Sequence, residues 1–282
     1  MSKKWVAIAI ALIVIGFAGA AANKFKFAEP LDKHSQTWTF DDGGLQWLAI
    51  NADDKRIDLR FVKSGDGTNS VTVEGKAEKE VIDRLKKTVM QDGGLSLDFK
   101  EKPKWFEWNI GEFTARMSIT VAMANSTDLE SLDVKSDSGS ITIEDASAKR
   151  AELESDSGSI RIDRFIGSTL KIESDSGGVS ANRIKADVEA DTDSGRLVLD
   201  GLTGKSKLET DSGSVELVKD DVSDTEIETD SGRVAIELPA SFAGFYDLQS
   251  DSGSIHAPDS KRTTKDYVKV RTDSGSIRIV QR

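Results

Sequence analysis

Eight aspartates stand in one short phrase, S/T-D-S-G, which recurs between Lys135 and Ile279. An Asp-Ser/Thr-Gly triplet could do acid–base chemistry, because aspartic proteases use it at two carboxylates that share a proton in one dry cleft. These eight, however, follow one another at steps of 18 to 22 residues, and such a period predicts a repeat architecture. The aspartates are then expected in a column and not in a catalytic pair: Asp137, Asp156, Asp175, Asp193, Asp211, Asp230, Asp251 and Asp273.

The phrase has two other interpretations. As turn chemistry, glycine takes a positive-φ position without steric cost, and Asp and Ser side chains bond to nearby backbone amides. The Ser or Thr before each aspartate could also stack its hydroxyl at the same corner. As a cation site, the aspartate column would act with five flanking acids, although the nine-residue calcium-binding β-roll has a different period and denser glycine. The sequence favours the turn, with diffuse attraction of cations to the flanking acids Glu154, Glu173, Asp191, Glu209 and Glu228.

Composition removes several classes of site. The 282 residues include no cysteine and only two histidines, His34 and His256, which excludes disulfides and thiolate sites and leaves little basis for a Ser-His-Asp triad. The sequence contains no G-x-S-x-G, the motif that carries the nucleophilic serine of α/β-hydrolases. The formal net charge is −11, with 30 acidic against 20 basic residues in 131–282, so nucleic acid is not an expected partner. We assign no catalytic, cofactor-binding or metal-ligating residue, and expect His256 at the surface.

Around each phrase the pattern reads apolar-x-S/T-D-S-G-x-apolar-x-apolar, which predicts two short alternating strands flanking a turn. Stacked coils superpose equivalent positions at about 4.8 Å, so three inward rows are expected. The first row is Val134, Leu153, Ile172, Ala190, Leu208, Ile227, Leu248 and Val270. The second row is Ile141, Ile160, Val179, Leu197, Val215, Val234, Ile255 and Ile277. The third row is Ile143, Ile162, Ala181, Leu199, Leu217, Ile236, Ala257 and Ile279.

The expected fold class is therefore all-β. Residues 131–282 are predicted to form a single-stranded parallel β-helix, or β-solenoid, of about eight coils, with a length of roughly 35–40 Å. A right-handed coil is expected, because that is the default for parallel crossovers.

Residues 37–130 predict a mixed, β-rich part that caps the solenoid. Strands are expected at 45–50, 56–61, 71–73, 95–99 and 113–123, between Gly- and Asp-rich turns. One amphipathic helix is predicted over Lys76–Val89, with Val81, Ile82, Leu85 and Val89 on one face.

The first 26 residues carry an export or anchoring signal. Eighteen uncharged residues, 5–22, are just long enough to cross a hydrocarbon core as a transmembrane helix. A signal anchor with Trp5 at the interface is favoured over a cleaved signal peptide, for which Ala18-Gly19-Ala20 would serve as the cleavage site. The expected localisation is the cell membrane, contacted through residues 5–22, with residues 27–36 as a tether and the rest outside the cytoplasm. The alternative is secretion after cleavage.

An aromatic group and two late insertions can each be interpreted in two ways. Trp105, Phe106 and Trp108 form either a carbohydrate- or partner-binding patch or the cover of a junction between two packed parts. Residues 238–246 and 257–265 lengthen the last two steps of the repeat, and such insertions become loops on a binding face or shield the open end of the stack. With three residues after Ile279, the end of the chain is expected to leave an unpaired edge there.

These residues resemble a known family. The repeated S/T-D-S-G-x-I/V-x-I/V, with the ending Leu238-Pro239, G-F-x-x-L at 244–248 and S-G-x-I at 252–255, is similar to the bacterial putative-adhesin family, a domain of unknown function. The order of membrane segment, mixed part and repeats resembles its LiaG-like members, which accompany envelope-stress operons. The resemblance implies a parallel β-solenoid outside the cytoplasmic membrane, and no catalytic residues.

We therefore predict a membrane-anchored, extracytoplasmic protein with a non-enzymatic envelope role in adhesion, scaffolding or interaction with envelope proteins or glycans. The alternative is a carbohydrate-active β-helix enzyme, which needs two or three carboxylates gathered at one place. The sequence instead distributes its acids coil by coil.

Overall fold

The structure of the chain is a computed structural model that describes residues 31–40, 44–101, 115–124 and 129–282. Its 19 strands belong to one continuous sheet, and the described residues include one short helix. The all-β class predicted from the sequence is thus confirmed. Six strands and the helix come from the first part: β1 (Asp32–Phe40), β2 (Trp47–Asn51), β3 (Arg56–Lys63), β4 (Asn69–Ala77), α1 (Lys79–Leu85), β5 (Gly94–Asp98) and β6 (Arg116–Met123).

The repeats supply the other thirteen strands, all paired in parallel with their neighbours. They are β7 (Leu129–Ser136), β8 (Ile141–Ser155), β9 (Ile160–Ser174), β10 (Val179–Thr192), β11 (Leu197–Thr203), β12 (Ser206–Thr210), β13 (Val215–Lys219), β14 (Thr225–Thr229), β15 (Val234–Leu238), β16 (Phe245–Ser250), β17 (Ile255–His256), β18 (Tyr267–Thr272) and β19 (Ile277–Gln281).

Two faces meet at the S/T-D-S-G corner. We call the strands that end at the phrase the leading face and those that begin after it the trailing face. The leading face stacks β16, β18, β14, β12, the second halves of β10, β9 and β8, then β7, β2 and β5. The trailing face stacks β17, β19, β15, β13, β11, the first halves of β10, β9 and β8, then β3 and β6.

The three predicted inward rows form the core between these faces. Their members are buried in every coil except the one that contains Asp251. In that coil Leu248 is partly buried, Ile255 is 41% exposed and Ala257 is exposed. This coil therefore lies at an end of the stack.

The order of the last coils departs from the order of the chain. β18 pairs with β14 on one side and with β16 on the other, and β19 likewise lies between β15 and β17. The coil of Asp273 is thus inserted between those of Asp230 and Asp251. The expectation of an unpaired edge after Ile279 was wrong, because β19 is internal and the free edge belongs to β16 and β17.

The first part also enters the stack, so it is more than a cap. β2 and β3 form a coil in register with the first repeat, with Ile50 opposite Val134 and Ile57 opposite Ile141. β5 and β6 form a further coil outside it, and β4 and β1 then pair antiparallel along the trailing face. The stack therefore has ten coils, with a length of roughly 45 Å.

Two local predictions in the first part need correction. The helix covers Lys79–Leu85 and not Lys76–Val89, because residues 76 and 77 pair with β1 and the turn after Leu85 tightens. Val81, Ile82 and Leu85 are buried as predicted, but Val89 is 64% exposed. Strand β1 begins at Asp32, within the segment predicted as a tether, because it completes the antiparallel pairing with β4.

Candidate functional site

The corner of each coil is built by hydroxyls and backbone. In four coils the Ser or Thr before the aspartate is buried and accepts a hydrogen bond from the glycine amide three residues later, as from Gly158 to Ser155 Oγ at 2.9 Å. The serine after the aspartate donates its amide to the aspartate carbonyl of the adjacent coil, as from Ser157 to Asp137 at 3.0 Å. The turn interpretation thus holds for the hydroxyl that precedes the aspartate. Backbone hydrogen bonds thus connect the S/T-D-S-G phrases of adjacent coils.

The corner glycines do not have positive φ, so the predicted reason for glycine was wrong. They are needed because of close approach. A Cβ built on Gly177 would lie 1.8 Å from the carbonyl oxygen of Gly158, and the other corner glycines meet a neighbouring carbonyl at 1.8–2.1 Å. Positive φ occurs instead at a second corner, where Asp145, Arg164, Arg183 and Gly201 superpose from coil to coil.

All eight aspartate side chains of the phrase are exposed along one edge of the stack. A column at the strand spacing of about 4.8 Å does not converge on a cleft. Within the described ranges, no group of three or more His, Asp or Glu side chains is placed to hold a metal ion.

The leading face carries a ladder of charged side chains that alternate in sign from Glu152 onward. In stacking order its members, four residues before each aspartate, are Asp133, Glu152, Lys171, Glu189, Lys207, Glu226, Lys269 and Asp247. Lys207 lies 3.9 Å from Glu189, and Lys171 lies 3.9 Å from Glu152. Hydrogen bonds that Lys171, Lys207 and Lys269 donate to glutamate carboxylates raise the pKa of these lysines. With five acidic and three basic members, this ladder has a formal charge of −2.

The next row toward the corner is acidic over five coils, as the sequence predicted: Glu154, Glu173, Asp191, Glu209 and Glu228. Lys171 reaches Glu173 at 2.5 Å and Lys207 reaches Glu209 at 2.7 Å. Asp191 stands at the centre of this row. Burial and the charges of Glu209, Asp193, Glu173 and Asp211 raise its pKa. Neighbouring carboxylates therefore repel one another around Asp191.

A third row, six residues before each aspartate, ends in two aromatic rings. Thr169, Asp187, Lys205 and Asp224 lead to Tyr267 and then Phe245 at the free edge. The rings of Phe245 and Tyr267 have centroids 5.9 Å apart, and Phe245 is 37% exposed. A groove of about 280 Å³ runs along this row and reaches Tyr267. Sequence reasoning missed this feature, although the aromatic residues occupy the same position in consecutive repeats.

The two late loops both lie at the free end. Phe242 is buried there and stacks on Tyr246 with centroids 5.4 Å apart. From the second loop, Ser260 Oγ accepts the amide of Tyr246 at 2.9 Å, and the Arg262 amide donates to Gly244 at 3.0 Å. The two loops therefore contact each other at the free end, where Ile255 and Ala257 stay exposed, and both predicted roles remain predictions. His256 is exposed, as predicted.

Two buried lysines hold local structure. Lys55 Nζ lies 2.5 Å from Glu101 and 3.1 Å from Asp54. Burial alone would lower the pKa of Lys55, but the two carboxylates have the larger effect, so the pKa is raised. Lys219 Nζ donates to the carbonyl of Gly204 and lies 3.2 Å from Asp221, and burial lowers its pKa. Both ammonium groups are buried and act as structural ties.

Some predictions fall outside the described residues. These are the membrane segment 5–22 and the aromatic group Trp105, Phe106 and Trp108. Within the described part of the chain, none of the helical structure has the length and apolar character of a membrane span.

Comparison with known proteins identifies related sequences and folds. The model of one family, Toastrack DUF4097, matches residues 47–280. No curated protein matches the chain. The crystal structure of a protein from Bacteroides fragilis, named a putative adhesin, is 12% identical, with a TM-score of 0.53 over 88% of this chain and 97% of the other. At this identity the likeness shows the fold alone.

Two proteins from Parabacteroides distasonis are also similar to this chain at 12% identity. One, named a putative adhesin, has a TM-score of 0.47 over 89% of this chain and 94% of its own. The other, named a putative lipid binding protein, has a TM-score of 0.43 over 88% and 94%.

Proposed function

The chain belongs to the Toastrack DUF4097 family, and from this premise we propose that it is a membrane-anchored, extracytoplasmic protein with a non-enzymatic, adhesin-like role. It binds envelope partners through the outer faces of its coils, as a scaffold or as a LiaG-like companion of an envelope-stress system. Residues 5–22 anchor it in the cell membrane.

The observation that carries this proposal is the placement of the acids. The eight corner aspartates lie one per coil along an exposed edge. The ladder beside them alternates in sign from Glu152 to Asp247, and ion pairs connect its members between coils. Regular faces of stacked strands of this kind suit binding to an extended partner. A hydrolase would instead gather its acid and its base at one place on one face.

The topology is tested by adding protease to intact cells whose wall has been removed. We expect residues 31–282 to be digested, leaving a short membrane-bound fragment. Protection of this region in intact cells, with digestion only after lysis, would place the repeats in the cytoplasm and refute the proposal.

The non-enzymatic role is tested by incubating the purified full chain with envelope and plant-type polysaccharides. No new reducing ends are expected. Hydrolysis that a single Asp or Glu substitution abolishes would establish the carbohydrate-active alternative instead. Pull-down and crosslinking from envelope fractions are expected to retain a protein or glycan partner.

A further inference from the structure

The groove on the leading face reaches the half-buried ring of Tyr267, which contacts the exposed ring of Phe245. We call it the aromatic groove and define it by Thr169, Asp187, Lys205, Asp224 and Tyr267, with Phe245 at its end. Phe245 and Tyr267 occupy equivalent positions in adjacent coils, and their rings are tilted by 30°. Aromatic faces that keep partial contact with water bind apolar, flat surfaces of ligands. The apolar C–H face of a sugar ring is such a surface.

The polar side chains of the aromatic groove are held in place by neighbours. Asp187 Oδ1 accepts the amide of Lys205 at 2.8 Å, and Lys205 Nζ lies 3.4 Å from Asp224. Asp224 Oδ1 in turn accepts the amide of Tyr267 at 3.4 Å. An ionised carboxylate has about four acceptor positions, and an ammonium three donors, so each group keeps capacity for a ligand. Alternating acceptors and donors match the hydroxyl groups of a sugar chain.

The spacing favours a ligand that runs along the stack. Consecutive groups of the groove repeat at the coil spacing of about 4.8 Å. This is close to the advance per ring of an extended chain of linked hexoses. A ligand along the groove would therefore present one ring to each coil.

The charges that line the groove favour an uncharged sugar chain over an acidic one. Asp187, Glu189, Asp224 and Glu226 line the groove against Lys205 and Lys207, and the acidic row lies on the corner side. A polymer with carboxylate or sulfate groups would be repelled, whereas an uncharged one would not. A peptide strand added to the edge of β16 is disfavoured, because Ser260 already occupies the amide of Tyr246.

We propose that the aromatic groove binds an uncharged oligosaccharide, with one sugar ring against Tyr267 and Phe245 and the next rings along Asp224, Lys205 and Asp187. The inference rests on the proposed function and gives it a partner class.

The test is titration calorimetry of the full chain with cellohexaose and with hexa-N-acetylchitohexaose, and with hexagalacturonate as an acidic comparison. We expect saturable binding of at least one uncharged hexasaccharide and none of hexagalacturonate. Tyr267→Ala is expected to weaken binding at least tenfold, and Tyr267→Phe to preserve it. Ile255→Ala serves as the control, since it alters an exposed apolar side chain of the end coil, which adjoins the coil of Tyr267, but on the trailing face.

Phe245→Ala provides a second variant at the free edge, where truncation leaves the stack intact, and thermal melts confirm that each variant is folded. No binding of either uncharged hexasaccharide overturns the inference, as does equal binding by Tyr267→Ala and the unaltered chain. Binding of hexagalacturonate at equal affinity overturns the charge argument and the inference with it. If the hexasaccharides fail while envelope fractions still retain the protein, the inference falls and the proposed function stands.

Discussion

The corner glycines of the S/T-D-S-G phrase lie where a methyl group would meet the carbonyl oxygen of the adjacent coil. Because that oxygen belongs to backbone held in a ladder, it cannot move without displacing a whole corner. The same residues have ordinary backbone angles, so glycine is needed here for space.

Gly177→Ala is therefore expected to destabilise the chain strongly. The new Cβ would lie 1.8 Å from the carbonyl oxygen of Gly158, and forced packing of this kind costs about 2–3 kcal/mol. The neighbouring Gly178→Ala is the matched control, since its nearest atom would be 3.9 Å away, and we expect a change within about 0.5 kcal/mol. Urea unfolding of both variants measures the difference. Equal effects would contradict the close-approach explanation.

A second prediction at the residue scale concerns how Asp191 affects the pH dependence of stability. Burial and neighbouring carboxylates raise its pKa in the folded chain, so folding disfavours its charged form. Stability is therefore lost as pH rises from the ordinary Asp range through the raised pKa. Asp191→Asn is expected to raise Tm at pH 7, and this gain should vanish at about pH 3, where the carboxyl is protonated in both states.

Asp247→Asn provides the control of opposite sign. A hydrogen bond from Arg271, at 2.6 Å, lowers the pKa of Asp247, so its contribution to stability is present above the ordinary Asp pKa and lost as pH falls. This variant should lower Tm slightly at pH 7 and leave it unchanged at low pH. If both variants shift Tm in the same direction at pH 7, the electrostatic account of the leading face is incorrect.

At the scale of the elements, the inserted coil separates two otherwise equivalent isoleucines. Ile277 and Ile255 each lie four residues after a corner aspartate, but Ile277 is buried in the internal β19 and Ile255 is 41% exposed in β17. Ile277→Ala is expected to cost about 2–5 kcal/mol, the usual range for a buried isoleucine. Ile255→Ala should cost about 1 kcal/mol or less, as measured by urea unfolding. Coils stacked in chain order would reverse this ranking.

The inward rows could be predicted because stacking imposes the same side-chain positions on every coil. The order of the coils could not, since the Asp251 and Asp273 coils present the same rows and either fits against the Asp230 coil. The coil of Asp53 was missed although it keeps the offsets, with Ile50 three residues before and Ile57 four after. Its corner reads A-D-D-K, and Lys55 takes the place of glycine.

The aromatic groove illustrates the same limit. Phe245 and Tyr267 both stand six residues before a corner aspartate, so their adjacency could have been inferred from the period. The exposure of Phe245 could not, because it depends on the coil of Asp251 being the free end. The position of a coil in the stack, which local pattern does not specify, determines which of its side chains can bind.

At the scale of the whole molecule, charge and geometry combine into one elongated acidic edge. Aspartates of adjacent coils are separated by about 4.8 Å, which is less than the Debye length of about 10 Å at 0.1 M salt. Their repulsion is therefore only partly screened at that concentration, and screening should continue to increase toward 1 M, where the Debye length is about 3 Å. With a net charge of −11, the folded chain is expected to gain stability from salt.

This expectation is tested by thermal melts in NaCl and in CaCl₂ at matched ionic strength. Because the corner carboxylates form an open column, we expect Tm to rise gradually with either salt and without saturation. The rise should be smaller in Asp191→Asn, which removes one charge from the centre of the acidic row. A large rise that saturates with calcium alone, well below the concentrations needed for sodium, would instead show specific cation sites in the column, since ligands that bind only the folded state stabilise it according to their occupancy.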